Sequence, residues 1–286
     1  MTVTGATKVL AILGNPVAHS LSPQMHAGWI ADHGIDATYV ALPLKNESVE
    51  ATMRKLGNVG FHGANVTVPY KEAASGAADV RSKDVAALGV ANTLHWSEGK
   101  LHAHNTDWSG ARHALDAAFP DWKNDVRRAV VIGAGGAARA ITYGLAGPDG
   151  PEISIVNRSL EKAEAAAALV APFTGATAQG LDWMQLTHAM ANADLVVNAT
   201  TLGMTGVPPF DWRLAGLKPT AIVYDAVYAP LETDLLKAAR ARGLRTVDGL
   251  GMLIHQGALA FEIWFGIKPD AAKARERLLA ILAARP

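Results

Sequence analysis

The chain has 286 residues, half of them hydrophobic, which is enough for two domains of ordinary size, each with its own core. Its 26 basic residues balance its 26 acidic ones and are scattered along the chain, so it carries no electrostatic footprint for nucleic acid or an acidic membrane surface, and a small-molecule partner is expected. With no cysteine, disulfides, thiolate zinc sites and cysteine nucleophiles are excluded.

Only five apolar residues, Val9 to Leu13, precede Gly14-Asn15-Pro16, too few for the core of a signal peptide. The longest apolar stretch, around 129–147, is broken by Arg139 and by glycines, and reads as strand plus helix rather than a membrane span. The expectation is a soluble, cytoplasmic protein. Strands are expected at Lys8–Leu13, Thr38–Leu44 and Ala64–Val68, separated by helices at Pro23–His33 and Glu47–Leu56. Ala91–Trp96 and Lys100–His104 form a hairpin about the turn signal Glu98-Gly99. A helix from Asp107 to Phe119 is stopped by Pro120-Asp121. Then come strands at Ala129–Ile132, Ile153–Val156, Asp194–Asn198, Ala221–Tyr224 and Arg245–Val247, with helices at Ala137–Leu145 and Leu160–Val170. Helices at Met252–Phe265 and Pro269–Ala284 end the chain and are expected to pack back on the first domain. Alternating strands and helices of this kind predict an α/β architecture with two largely parallel sheets.

Within the second set, Val130–Ile132 leads into Gly133-Ala-Gly135-Gly136-Ala-Ala138, where glycines permit a tight turn and close backbone approach, and small Ala138 packs helix on strand. A pyrophosphate suits the following helix N-terminus. The next strand ends in Asn157-Arg158 where an NAD-binding unit carries Asp or Glu, and a guanidinium there suits a 2′-phosphate, which points to NADP. Arg158 also reads as an ordinary exposed arginine, and Ser159 as a helix N-cap.

Three polar clusters in the first set follow apolar runs and so belong at strand C-terminal ends, where open α/β sheets bind ligands. In Gly14-Asn15-Pro16-Val-Ala-His19-Ser20-Leu-Ser22-Pro23, Ser22-Pro23 reads as an N-cap followed by Pro, and two hydroxyls beside a helix start suit a carboxylate; capping alone explains Ser22 equally well. In Asn65-Val-Thr67-Val-Pro69-Tyr-Lys71, alternation puts Asn65 and Thr67 on one face, and Lys71 begins the next element. In His102-Ala-His104-Asn105-Thr106-Asp107, Asp107 reads either as an N-cap or as a catalytic carboxylate. His102 and His104 share a face, but no third ligand stands at metal-binding spacing, so no metal is expected.

These stretches, with Asn92-Thr93-Leu94, Tyr224-Asp-x-Val-Tyr228-x-Pro230 and Asp248-Gly249-Leu-Gly-Met252-x-x-x-Gln256, resemble the shikimate dehydrogenase family in order and spacing over nearly the whole chain. The resemblance implies an N-terminal α/β substrate domain at 1–108, completed by 249–286, and a Rossmann-like NADP-binding domain at 109–248, with the site in the cleft between them. It implies NADP-dependent reduction of 3-dehydroshikimate to shikimate by a monomer or homodimer, with no membrane or nucleic-acid partner. Lys71 and Asp107 match the family's catalytic pair. Ser20 and Ser22 match the hydroxyls that take the substrate carboxylate, and Asn65, Thr67, Asn92, Gln256 and Tyr228 the residues that hold the ring. Gly133, Gly135, Gly136, Ala137, Asn157, Arg158, Ser159, Lys162, Gly249 and Met252 match cofactor-binding positions. Trp108, where the family usually has Gly, Ala91 for Val and Ala27 for Asn depart from the pattern. Trp108, beside the proposed acid, leaves substrate choice open between shikimate and a related ring acid such as quinate. A catalytically silent nucleotide sensor on the same scaffold is the remaining alternative.

Overall fold

The apolar run after Lys8 forms the central strand of the first of two sheets in a computed structural model that describes residues 3–45, 48–147, 150–174 and 177–284. In chain order the first unit contains β1 (Lys8–Gly14), α1 (Ser22–Asp32), β2 (Ala37–Pro43), α2 (Val49–Leu56), β3 (Phe61–Val66), α3 (Lys71–Ala77), β4 (Val80–Arg81), α4 (Lys83–Leu88), β5 (Thr93–Ser97) and β6 (Lys100–His104). The expected helix start at Glu47 lies outside the described residues. The strands are ordered β2-β1-β3-β5-β6-β4, and β5 alone runs against its neighbours. The β5–β6 turn places Glu98 and Gly99 at φ 51° and 71°, the left-handed pair that a two-residue hairpin loop demands.

Alternation sorts the first sheet's two faces. Ala11, Leu13, Ala64, Val66, Leu94 and Ala103 point one way and pack with Met53 and Val85 of α2 and α4. The other face carries an aromatic layer from α1 and from α11 (Gly249–Phe265), and the last helix, α12 (Ala271–Ala283), packs on α1. Gly63 admits the Trp264 indole, which a Cβ would meet at 2.3 Å, and the indole Nε1 donates to the Leu94 carbonyl at 3.0 Å. Asp32 of α1 holds Lys273 and Arg277 of α12 at 2.7 and 2.6 Å, and Trp29 Nε1 donates to the Asp270 carbonyl at 3.0 Å. The last two helices therefore return to the first sheet, as their sequence position predicts.

The second unit, Asp107–Leu253, contains α5 (Asp107–Ala118), α6 (Trp122–Asp125), β7 (Arg128–Ile132), α7 (Gly136–Leu145), β8 (Glu152–Asn157), α8 (Leu160–Thr174), β9 (Ala178–Asp182), α9 (Leu186–Ala191), β10 (Leu195–Asn198), β11 (Ile222–Asp225), α10 (Asp234–Ala241) and β12 (Arg245–Val247). All six strands are parallel, in the order β12-β11-β10-β7-β8-β9. Counted within the unit this is the doubly wound dinucleotide-binding order, reversing between β7 and β10. Val131 and Ala129 face one hydrophobic layer, Val130 and Ile132 the other, so the sheet is covered on both sides. Among the described residues no helix is long and apolar enough to cross a membrane.

Candidate active site

In the first unit the polar clusters gather at one sheet edge. Parallel pairing puts Gly14 beside Pro43 and Leu13 beside Val66, and the reversed β5 brings Thr93 opposite Asn65 and His104. The segments that follow β1, β3 and β6 thus leave from the same end of the sheet. Ser20 and Ser22, on the segment after β1, are 8% and 2% exposed, and the Ser22 amide donates to Ser20 Oγ at 3.2 Å. The capping reading of Ser22 is corrected here. Leu21 occupies the cap position in helical geometry, no side chain caps α1, and Pro23 falls at the second helical residue. Lys71 is partly buried and opens α3, as the break at Pro69 predicts.

A buried hydrogen-bond chain crosses this edge. Tyr39 Oη donates to Asn65 Oδ1 at 2.8 Å, and Asn65 Nδ2 donates to the Asn92 carbonyl at 3.3 Å and to Thr93 Oγ1 at 3.2 Å. Asn92 Nδ2 donates to Thr106 Oγ1 at 2.9 Å and to Gln256 Oε1 at 3.1 Å, while Asn92 Oδ1 accepts from the Thr106 amide at 2.7 Å. Asn65, Asn92 and Gln256 are therefore joined although they stand far apart in sequence. With Gln256 Oε1 facing Asn92, its amide nitrogen is turned elsewhere. Gly14 lies against Thr67, whose Cγ2 a Cβ would meet at 2.4 Å, so Thr67 is fixed beside the end of β1. His26 is buried beside this chain, stacked on the Tyr39 ring at 4.3 Å. Burial pulls its pKa down to about 3; the neighbouring Asn65 amide offsets this only in part, neither ring nitrogen reaching hydrogen-bonding geometry.

In the second unit the glycine turn sits where the strand order reverses. Gly133 has φ 110°, its amide donates to the Val156 carbonyl at 2.8 Å, and a Cβ would lie 3.0 Å from Thr200 Cγ2. A side chain there is strained and crowded. Gly135 caps α7 with open space where a Cβ would stand, and the first turn of α7 carries no acidic residue. The open space lets a pyrophosphate approach the backbone here, and the first turn of a helix offers N–H groups that lack intrahelical partners. Ala138 is fully buried against the strand, as its place in the turn predicts. Beyond the end of β8, Arg158 and Lys162 are exposed, and Asn157 Nδ2 donates to the Ser159 carbonyl at 3.0 Å. Ser159 does cap α8, accepting from the Lys162 amide at 3.3 Å. Two cations near a helix start suit a phosphate ester. Next along the edge, Asn198 Nδ2 and Thr233 Oγ1 donate to the two oxygens of Asp225 at 2.9 and 2.6 Å. Burial pushes the Asp225 carboxyl up to about 6 against these donors. Asp107, 5% exposed, is the first residue of α5.

Family models match three stretches of the chain: the shikimate dehydrogenase substrate binding domain at residues 12–94, shikimate / quinate 5-dehydrogenase at 116–204, and the shikimate 5′-dehydrogenase C-terminal domain at 249–279. A shikimate dehydrogenase (NADP(+)) of Rhodospirillum rubrum is 44% identical, covering 95% of this chain and 96% of its own. The chain belongs to the shikimate dehydrogenase family. Among solved structures, a shikimate dehydrogenase in complex with NADP+ matches with a TM-score of 0.90 at 34% identity, covering 98% of each chain. A quinate dehydrogenase from Corynebacterium glutamicum in complex with NAD matches at 0.88 and 32% identity, covering 96% of this chain and 99% of its own.

For a shikimate dehydrogenase family member, the expected site residues divide between the two units. Ser20, Ser22, Asn65, Thr67, Lys71, Asn92 and Gln256 belong to the first, and Asp107, Tyr228 and the cofactor positions to the second. Gly249 has a packing reason of its own, since a Cβ would meet the Ala226 and Val227 carbonyls at 2.4 and 2.5 Å. Met252 is 7% exposed and packs in the core. Sequence reasoning assigned no role to Tyr39, Thr93 or Thr106. Thr93 and Thr106 each follow an Asn in a motif, which is a usable signal. Tyr39 is one aromatic residue in a strand and gives none.

Proposed function

We infer that this chain catalyses the NADP-dependent, reversible reduction of 3-dehydroshikimate to shikimate in aromatic amino-acid biosynthesis, working in the cytoplasm as a monomer or homodimer. One observation carries the reading: in a chain of this family, the first sheet's edge gathers Lys71, the Ser20 and Ser22 hydroxyls and the connected amides of Asn65, Asn92 and Gln256. Hydroxyls and amides suit a small polyhydroxylated ring acid. Ser20 and Ser22 take its carboxylate, and Asn65, Thr67, Asn92, Gln256 and Tyr228 hold its hydroxyls.

NADP, when bound, supplies the hydride in one direction and takes it in the other. Gly133, Gly135, Gly136 and Ala137 hold its pyrophosphate, Asn157, Arg158, Ser159 and Lys162 its 2′-phosphate, and Gly249 and Met252 border it. The open space over Gly135 and the cations past β8 fit that cofactor. A ketone carbon that accepts hydride leaves its electron pair on oxygen, where a cation and then a proton are required. The Lys71 and Asp107 pair supplies them, and in the reverse direction the pair takes the hydroxyl proton.

A second reading, a quinate dehydrogenase preferring NAD, is favoured by the match to the Corynebacterium enzyme and by Trp108 in the family's glycine position. Arg158 speaks for NADP, and the serine pair for shikimate. Rates with shikimate, quinate and aminoshikimate, each with NADP and NAD, separate these readings. Shikimate with NADP is expected to give the highest kcat/KM. Lys71→Ala and Asp107→Ala are expected to lower turnover about 10²- to 10⁴-fold with NADP affinity retained. Near-normal turnover in both removes the catalytic assignment, and tight NADP binding without activity on any ring acid makes the chain a sensor.

A further inference from the structure

The buried hydroxyl of Tyr39 belongs to no recognition motif, yet it decides how one of the proposed substrate-holding side chains is oriented. Asn65 is the last residue but one of β3, and its side chain is enclosed, the residue being 4% exposed. On one side, Asn65 Nδ2 meets the Asn92 carbonyl oxygen at 3.3 Å. A peptide carbonyl only accepts, so the amide nitrogen must face it; the flipped amide would set oxygen against oxygen. Oδ1 therefore points to Tyr39, whose hydroxyl at 2.8 Å must be the donor. Tyr39 is held in turn: it is 6% exposed, the His26 imidazole lies flat on its ring at 4.3 Å and 8°, and Trp264 tilts against it at 6.2 Å.

We propose that Tyr39 is a positioning residue for the ring substrate: through its hydrogen bond to Asn65 Oδ1 it fixes the Asn65 amide so that the carbonyl oxygen is presented to a hydroxyl of the ring. The inference rests on the functional reading above, which supplies the substrate. It also specifies the chemistry at this position. An amide oxygen accepts, so it favours a ring alcohol that donates and disfavours a ketone there, and the carbon that changes oxidation state is a different one. Without the Tyr39 hydroxyl, the amide keeps its nitrogen-side contacts but loses the donor that aligns its oxygen.

The test uses the full-length enzyme and the variants Tyr39→Phe, Asn65→Ala and the double variant, with KM and kcat for shikimate, KM for NADP, and thermal unfolding. Tyr39→Phe is expected to raise KM for shikimate about tenfold, to change kcat and the NADP KM less than twofold, and to unfold cooperatively. Because Tyr39 acts through Asn65, adding Tyr39→Phe to Asn65→Ala is expected to raise KM less than twofold further. An unchanged KM in Tyr39→Phe, multiplied effects in the double variant, or an equal loss for NADP would each overturn the role of Tyr39. A wild-type protein silent toward shikimate would instead defeat the functional reading, so the two failures are distinct.

Discussion

His26 is wholly buried, and burial moves its pKa from the ordinary 6.5 to about 3. The unfolded chain then takes up a proton near pH 6.5 that the folded chain refuses until far lower pH. Below 6.5 the unfolded state binds more protons, so this residue's contribution to stability is full above pH 6.5 and is lost as pH falls towards 3. At about 1.4 kcal/mol per pH unit, the loss by pH 5 is about 2 kcal/mol. Asp225 acts in the opposite sense: with its pKa raised to about 6, the folded state holds a proton that the unfolded state has released, so acid favours the fold there. Wild type alone therefore mixes the two effects. Urea denaturation of wild type and His26→Leu at pH 8 and pH 5 separates them, and wild type is expected to lose about 2 kcal/mol more than the variant between those values. Parallel profiles would mean that the ring is protonated inside the fold. The sequence did announce which residues carry polar chemistry, because Ser20, Asn65, Asn92 and Gln256 sit in recognisable spacings. It did not announce their wiring, because a hydrogen bond such as Tyr39 to Asn65 joins residues whose proximity only the strand register creates.

Elements with a strong period or marked ends were legible, down to the three-residue β12, whereas several short helices and one edge strand were not. β7 and the glycine turn fall where the run Val130–Ile132 puts them, and the hairpin turn falls at Glu98-Gly99. By contrast, α3, α4, α9 and α10 have eight residues or fewer, so tertiary packing rather than periodicity holds them. β9 reads Ala-Gln-Gly-Leu-Asp, with no apolar alternation, and is an edge strand paired with β8 alone. Its Gly180 lies where a Cβ would meet the α8 backbone at 2.3 Å, a packing reason invisible in a single sequence. Gly144 in α7 is a similar case. A Cβ there would come within 2.4 Å of the Trp108 carbonyl oxygen, so the glycine sets how closely α7 approaches α5. Alanine in a helix gains about 1 kcal/mol over glycine, whereas overpacking against backbone costs about 1–3 kcal/mol. The clash is with a carbonyl rather than a flexible side-chain tip, so the cost wins. Gly144→Ala is expected to lower stability by up to about 2 kcal/mol in chemical denaturation, and a stabilised variant would show that the two helices separate freely.

At the scale of the whole molecule, the sequence conveyed two alternating sets of strands and helices and the return of the last two helices to the first set, but not the packing that requires that return. The second unit is one continuous segment, whereas the first closes only when residues from Ile254 onward are added. The physical reason is the first sheet's second face. Phe261 and Leu278 are fully buried and Trp264 is 4% exposed, all on the returning helices, and Trp264 lies directly over Gly63. Burying three such side chains contributes about 5–9 kcal/mol, comparable to the entire stability of an ordinary domain. The second sheet instead finds covering layers on both faces within its own segment. Expressed separately, residues 107–253 are therefore expected to unfold cooperatively on heating, followed by circular dichroism. Residues 1–106 are expected to show no cooperative transition, although they contain every strand of the first sheet. A sharp melt from the 1–106 fragment would mean that the terminal helices cover a face already stable without them. The absence of one from 107–253 would mean that the doubly wound sheet depends on contacts outside its own two layers.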